Sequence, residues 1–369
     1  MNNIKICSKC IMDTTDPNIT FDELGVCNHC RAYEEKSRYL PMDDEKGKTQ
    51  LLDIIQEIKE YGKNNEYDCI IGLSGGVDST YVAYLVKKYG LRPIAIHLDN
   101  GWNSELAVSN INNIVEILGI DLYTHVIDWE EFKDLQLAFL KASVVDIEVL
   151  TDHAITAILY KLARKLNIKY IISGANIATE GVMPESWNYY KGDFRNIKSI
   201  HHKFGKLKMK TFPKNSLFNE LYVRFIRRIQ TVKILNFISY NKVEAISMIE
   251  KELHWRNYGG KHYESTFTKF YQAYILPEKF NIDKRKPHFS SLINSGQMLR
   301  EEALALLDEP LYPEHELKEE KEFVLKKFGL SEEQFEQIMS SPPKNHTDYP
   351  SNVKAYNFLR KMQRKFKQY

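Results

Sequence analysis

The stretch Ile70-Ile71-Gly72-Leu73-Ser74-Gly75-Gly76-Val77-Asp78-Ser79-Thr80 constrains the fold more than any other part of this 369-residue chain. An isoleucine-rich run ends in Ser-Gly-Gly and passes at once into an amphipathic segment, which predicts strand, tight loop, helix. Adjacent glycines permit positive φ and bring backbone N–H groups up to a ligand with no Cβ in the way. With the opening turn of the helix they make a concave donor site of partial positive charge, suited to phosphate. Ser74, Gly75, Gly76, Val77, Asp78 and Ser79 are therefore candidate phosphate-binding residues, and Thr80 adds a hydroxyl. A carboxylate at Asp78 suits that role only if it holds a metal ion. The spacing is not that of the Walker loop, because no lysine follows the glycines. The competing reading is a plain glycine turn between a strand and a helix.

From Asp68 onward the pattern alternates. Strands are predicted at 69–73, 93–98, 121–127 and 169–173, and helices at 80–89, 105–118, 132–141 and 153–166. Gly90 and Gly119 stand where helices should end in the left-handed conformation. Such alternation predicts an α/β fold with a doubly wound parallel sheet, in which ligands sit beyond the carboxyl ends of the strands. Each of those ends is polar. After the second strand come Asp99-Asn100-Gly101-Trp102, where Trp102 could stack on a ring or belong to an ordinary loop. Between the third and fourth strands, Thr151 or Asp152 should cap a helix, and His153 is either a substrate contact or part of that cap.

Near the amino terminus, Cys7-Ser8-Lys9-Cys10 and Cys27-Asn28-His29-Cys30 form two C-x2-C pairs with sixteen residues between them. Four thiolates satisfy a tetrahedral ion, and this spacing is that of a zinc ribbon. The intervening segment is rich in turns and poor in apolar residues, so metal binding must supply its folding free energy. Two disulfides or a redox dithiol are the alternatives. Residues 31–66 read as a lead-in helix with Leu51, Leu52, Ile54, Ile55 and Ile58 on one face. No apolar run approaches the roughly 20 residues needed to span a bilayer. The first residues also lack a secretion signal's apolar core, so a cytoplasmic protein is expected.

Residues 198–233 carry ten Lys or Arg against a single acid, Glu220, with Phe204, Phe212, Phe218, Tyr222 and Phe225 interleaved. The segment is either a solvated basic face or a surface for an anionic partner. The whole-chain net charge of +2 gives no reason to expect nucleic acid. Further on, Lys261, His262 and Glu264 follow two glycines, and Asp283-Lys284-Arg285-Lys286 is a compact cation cluster. Lys261, Lys284 and Arg285 could neutralise charge on a departing phosphate group. The organisation expected is a ribbon over 1–40, an α/β nucleotide domain over 41–197, a basic helical insertion over 198–260, and a helical region over 261–369 completing the site.

The hexad Ser74–Ser79 resembles the pyrophosphate loop of the ATP pyrophosphatases, which cleave ATP between its α and β phosphates. The segment Ser173-Gly174-Ala175-Asn176-Ile177-Ala178-Thr179-Glu180-Gly181 is similar to an NAD synthetase stretch. There a glycine after the strand is followed, six residues on, by a glutamate holding magnesium; Glu180 stands at that offset from Gly174. The resemblance implies Mg²⁺ on Asp78 and Glu180, with Asp99 and Gly174 also against ATP; a helix N-terminal acid is the other reading of Glu180. With the four cysteines and Tyr258-Gly259-Gly260-Lys261-His262-Tyr263-Glu264-Ser265, the pattern resembles the N-acetyl sugar amidotransferase family across residues 7 to about 338. That resemblance implies ATP, Mg²⁺ and Zn²⁺ as cofactors. It also implies a UDP-linked N-acetyl sugar as acceptor and a separate glutaminase subunit supplying ammonia. The reaction turns an acetamido group into an acetamidino group for lipopolysaccharide, O-antigen or other surface glycans. His153, Asn176, His262 and Glu264 are the substrate candidates. The rival is a tRNA-thiolating or tRNA-aminating enzyme of the same superfamily, for which the ribbon and the basic stretch speak and the lone Cys69 does not.

Overall fold

Cys69, Ile70 and Ile71 are all fully buried, yet they point into two different cores, because side chains alternate across a strand. A strand covered on both faces reads as one apolar run, as parallel sheets require. The computed structural model describes residues 4–40, 45–259 and 263–366. In it the strands Cys69–Gly72 (β1), Pro93–Asp99 (β2), Asp121–Val126 (β3), Tyr170–Ser173 (β4) and Gln230–Lys233 (β5) form one sheet, ordered β3-β2-β1-β4-β5. Every pairing is parallel.

The helices Asn28–Arg38 (α1), Glu45–Gly62 (α2), Val77–Lys88 (α3), Glu105–Leu118 (α4), Trp129–Ala142 (α5), Val149–Lys165 (α6), Ile177–Glu180 (α7) and Phe194–Phe204 (α8) are threaded around it. One core gathers Cys69, Ile71 and Ile172 with Leu51, Ile55 and Ile58 of α2, Val82 and Val86 of α3, and Ile111 and Ile114 of α4. The other gathers Ile70, Ile96 and Ile171 with Phe132 and Phe139 of α5 and Leu150 and Ile158 of α6. Local signals set the ends of these helices. Ser104 accepts the Ala107 N–H at 3.2 Å to open α4, and Gly119, at φ +57°, closes it. Asp128 opens α5 by accepting the Glu131 N–H at 2.9 Å.

The chain goes from β1 to β2 and β3 on one side, then returns to place β4 on the other side of β1. The switch point therefore lies between β1 and β4, where the loops leaving the two strands part and open a crevice. β5 departs from the expectation of a purely helical insertion over 198–260. Only Val232 of its four residues is buried, so the alternation is too short to register as a strand, and pairing with β4 decides it.

The basic segment is held down by two acids of α5. Glu131 accepts the Thr211 N–H at 2.9 Å, the Thr211 hydroxyl at 2.7 Å and the Phe212 N–H at 3.1 Å. Asp134 accepts the N–H groups of Lys206 and Leu207 at 2.9 Å and lies 2.9 Å from His201 Nε2. Burial works to raise the pKa of both acids, but the N–H donors outweigh it and hold both below the usual carboxylate range. Their stabilisation is thus full above about pH 5 and is lost as the pH falls through the lowered folded values. Replacing Glu131 by Ala leaves the buried Phe212 N–H unmatched, at about 1–3 kcal/mol. We expect Glu131→Ala to lower the melting temperature at neutral pH. In Glu131→Gln the loss of stability between pH 5 and pH 3 should be shallower than in the wild type, read by thermal denaturation across pH.

Candidate functional site

The loop after β1 stands at the switch point. Gly75 has φ +82°, and a Cβ there would meet the Ala107 carbonyl oxygen at 2.9 Å. Trp255, fully buried, donates its indole N–H to the Gly75 carbonyl at 2.8 Å and so holds the turn from behind. Ser74 Oγ accepts the Gly76 N–H at 3.2 Å, and the Ser79 and Thr80 hydroxyls donate to the Gly76 carbonyl at 3.0 and 2.8 Å. Gly76 caps α3 and has no side chain with which to occupy the first-turn N–H groups, the arrangement an anion needs.

The end of β4 closes on this loop. A Cβ on Gly174 would lie 3.1 Å from the backbone carbon and oxygen of Asp78 and 3.2 Å from its Cβ, so a side chain there would be tightly crowded by the start of α3. Tyr240 donates its hydroxyl to Asp78 Oδ1. Burial pushes the Tyr240 phenol up, and the carboxylates of Asp78 and Glu180 push it further. Asp78 and Glu180 both offer hard oxygen ligands, of which Mg²⁺ takes one or two. At the end of β2, Asp99 accepts the Gly101 N–H at 2.9 Å and the Asn103 amide at 3.3 Å. His97 bridges the two loops, donating from Nδ1 to the Leu73 carbonyl at 3.0 Å and accepting from Asn103 at Nε2. The residues 264–266 complete the wall. The Ser104 N–H donates to the Glu264 carbonyl and the Thr266 N–H to the Trp102 carbonyl, each at 2.9 Å. Glu264 Oε1 lies 3.6 Å and the Tyr258 hydroxyl 3.2 Å from the point a Cβ on Gly76 would occupy.

Several residues chosen from the sequence are already committed elsewhere. Trp102 is 1% exposed, donates to Gln136 Oε1 at 2.8 Å and stacks on Phe267 at 5.2 Å, so it packs the carboxyl-terminal helices rather than a nucleotide base. His153 is fully buried; Nδ1 donates to the Lys191 carbonyl at 2.8 Å and Nε2 accepts the Asn215 N–H at 3.0 Å. Neither nitrogen is left for a substrate. Asn176 caps α7 by accepting the Thr179 N–H at 2.8 Å and donates to the Gly174 carbonyl at 3.1 Å. Arg285 uses its guanidinium on Asp283 and on the carbonyls of Leu306, Leu307 and Glu309, so it clamps a helix end instead of facing a leaving group. Lys284 is near the Trp187 carbonyl, 3.4 Å away, where burial pulls its pKa down and Asp146 and Glu148 oppose the fall. Asp146, which the sequence did not single out, accepts from Lys191 Nζ and the Tyr189 N–H at 2.7 Å each. Asp146 lies five residues before Thr151, and no local spacing marks it over its neighbours. Lys261 and His262 lie outside the described residues.

Residues 50–183 match the NAD synthase family, and residues 264–363 match the family described as LPS biosynthesis protein WbpG-like, C-terminal domain. The chain thus joins a PP-loop domain similar to NAD synthase to a segment similar to the WbpG-like C-terminal domain of LPS biosynthesis proteins. Among solved structures it is similar to an NH3-dependent NAD synthetase from Campylobacter jejuni, with 18% identity, 57% of this chain and 86% of that chain covered, and a TM-score of 0.30. For NMN synthetase from Francisella tularensis the values are 17%, 59%, 97% and 0.30. For the U34-tRNA thiolase NcsA from Methanococcus maripaludis, with its [4Fe-4S] cluster, they are 15%, 82%, 88% and 0.34. A search of curated proteins found no match. The PP-loop domain makes this an ATP-using, ligase-type enzyme. Among the described residues no helix is long and apolar enough to cross a membrane.

In this PP-loop protein the four ribbon cysteines are buried, with their sulfurs all within 4.8 Å of one another. The Cys10–Cys27 and Cys7–Cys30 separations are 3.7 and 4.0 Å. A tetrahedron with zinc–sulfur bonds of about 2.3 Å has edges of roughly 3.8 Å, so the set fits one ion; zinc and iron both accept four thiolates. Cys7 Sγ accepts the N–H groups of Lys9 and Cys10 at 3.4 Å and of Cys27 at 3.2 Å, as a thiolate ligand should. The ribbon then braces the WbpG-like domain. Arg300 donates to the Cys7 and Cys10 carbonyls at 3.1 Å, and Lys286 pairs with Asp13 at 2.6 Å. The helix Arg285–Asn294 carries this support to α7 through Ser291 Oγ, which accepts the Val182 N–H, and His288, which donates to the Thr179 carbonyl. Cys10→Ser should reduce bound metal to well below one ion per chain by elemental analysis and lower the melting temperature. Unchanged metal content would remove the site.

Proposed function

We propose that this enzyme converts the acetamido group of a nucleotide-linked N-acetyl sugar into an acetamidino group, spending ATP as AMP and pyrophosphate. The observation behind this reading is where the WbpG-like domain begins. Residues 264–266 bond to 102–104 at the end of β2, and Glu264 lies over Gly76, so the sugar-pathway domain starts as a wall of the nucleotide loop.

An amide carbon resists ammonia because its oxygen is a poor leaving group. In the proposed sequence that oxygen attacks the α-phosphorus of ATP, the α–β bond breaks and pyrophosphate leaves. The acetamido nitrogen gives up its proton, which yields an O-adenylyl imidate. Ammonia adds to the imidate carbon, and AMP departs with the oxygen. The first step asks the protein mainly for positioning and charge neutralisation. Ser74, Gly75, Gly76, Val77 and Ser79 would cradle the phosphates, with Asp99 and Gly174 bounding the nucleotide. Asp78 and Glu180 would hold Mg²⁺, whose charge offsets that of the phosphates. Lys261 and Lys284 would receive the pyrophosphate, while His262 and Glu264 would face the acceptor.

The nitrogen would come from a separate glutaminase or from free ammonia. Cys69, the one cysteine outside the ribbon, is fully buried in β1, and burial pushes its thiol up, so it is unsuited to attack glutamine. The same burial weakens the tRNA-thiolase alternative.

Incubation with UDP-linked N-acetyl sugars, ATP and ammonium should lower the sugar nucleotide by about one mass unit, oxygen replaced by NH, with AMP formed in equal amount. ADP and orthophosphate as products would overturn the proposal. Asp78→Ala should keep its melting temperature and lose AMP formation by on the order of a hundredfold or more.

A further inference from the structure

Residues of α6, the edge strand β3 and the stretch 210–219 line a half-open cavity of about 260 Å³. His125, Lys161, Arg164, Lys210 and Lys214 all line it, and no carboxylate does so among the described residues. Arg164 donates to Asn219 Oδ1 at 3.0 Å and Lys214 to the Met209 carbonyl at 2.9 Å. Lys161 and Lys210 make no hydrogen bond or ion pair through their ammonium groups among the described residues. Four cations border one small volume, and their like charges raise its positive potential. His125 registers the crowding: burial lowers its pKa first, and the Lys161 charge lowers it further.

The arrangement is built rather than incidental. Lys210 immediately precedes Thr211 and Phe212, whose N–H groups are fixed by the buried Glu131 carboxylate, so the backbone that presents this cation is anchored. The cavity is also separate from the catalytic edge. Thr151, which accepts from Asn100 at 3.3 Å, marks that edge on α6, and Lys161 is ten residues further along the helix. At 1.5 Å per residue this is a distance of about 15 Å.

We propose that this cavity is a second anion site, which takes a phosphate-bearing group: the diphosphate of a soluble ligand or the headgroup of a lipid. It is argued from its own charge and walls and stands whether or not the acetamidino reaction does. The volume lies just under the range of roughly 300–1,000 Å³ typical of whole small-molecule pockets, which suits a charged group with the rest of its molecule outside.

Pyrophosphate will also enter the nucleotide loop, so the readout must be local. In NMR of the histidine-labelled full chain, the His125 signal, identified by its loss in His125→Asn, should move as inorganic pyrophosphate is added. The double variant Lys161→Glu/Lys210→Glu, both exposed positions, should weaken that response by about tenfold or more. Should the double variant fail to keep the wild-type melting temperature, Lys161→Ala alone should still weaken it measurably. In a parallel arm the protein is sedimented with phosphatidylcholine vesicles with and without phosphatidylglycerol. Retention that needs the anionic lipid and both lysines identifies a headgroup source; a response to pyrophosphate without retention identifies a soluble one. No His125 response and no retention would overturn the proposal. So would lysine-dependent binding of a short RNA when pyrophosphate leaves His125 unmoved.

Discussion

The contact on which the site depends is between two backbones, Gly174 at the end of β4 and Asp78 in the first turn of α3. With hydrogen in place of a side chain, Gly174 lets the two loops of the switch point come within van der Waals distance. Tyr240 donates its hydroxyl to Asp78 there, and the Glu180 charge is felt at the same phenol. A methyl group on Gly174 would press on the Asp78 backbone carbonyl in the first turn of α3. The parallel order β3-β2-β1-β4-β5 makes the approach possible, because β1 and β4 are neighbours whose connections run to opposite sides.

Around that contact the molecule is braced from a distance. The cysteine knuckles hold Arg300 and Lys286, the helix Arg285–Asn294 passes the support to α7, and α7 carries Glu180. The ribbon's own segment has few apolar residues, and its four clustered cysteines and this docking surface are what tie it to the rest of the chain. Trp255 behind Gly75, and Trp102 between β2 and Phe267, serve the same end with buried aromatic area. The cations of 283–288 also belong to this framework in large part: Lys286 is paired to the ribbon, and Arg285 closes the helix Arg300–Asp308.

Histidines show why candidate sites are harder to read than folds. His97, His153 and His346 are all buried with both ring nitrogens engaged, and burial draws their pKa values down, His346 to about 4. In the sequence, His153 after Thr151-Asp152 looks like an active-site residue as much as a cap. Its partners, Lys191 and Asn215, are 38 and 62 residues away, and no local pattern announces them. Lys161 and Lys210 make the converse case. Each reads alone as a solvated lysine, and only the folding of 206–212 onto Glu131 and Asp134 brings them to one cavity.

What the amino-acid order determined by itself was whatever depends on near neighbours. The Ser-Gly-Gly turn, the four principal strands, the helix ends at Gly90 and Gly119, and the two cysteine knuckles are all short-range consequences of φ preference, alternation and ligand spacing. Tertiary structure decided what depends on residues far apart in the chain. It made Gln230–Lys233 a strand, because only β4 supplies its hydrogen-bond partners. It turned Trp102, His153, Asn176 and Arg285 from site candidates into packing and capping groups, because a buried polar atom must take whatever partner the fold brings to it.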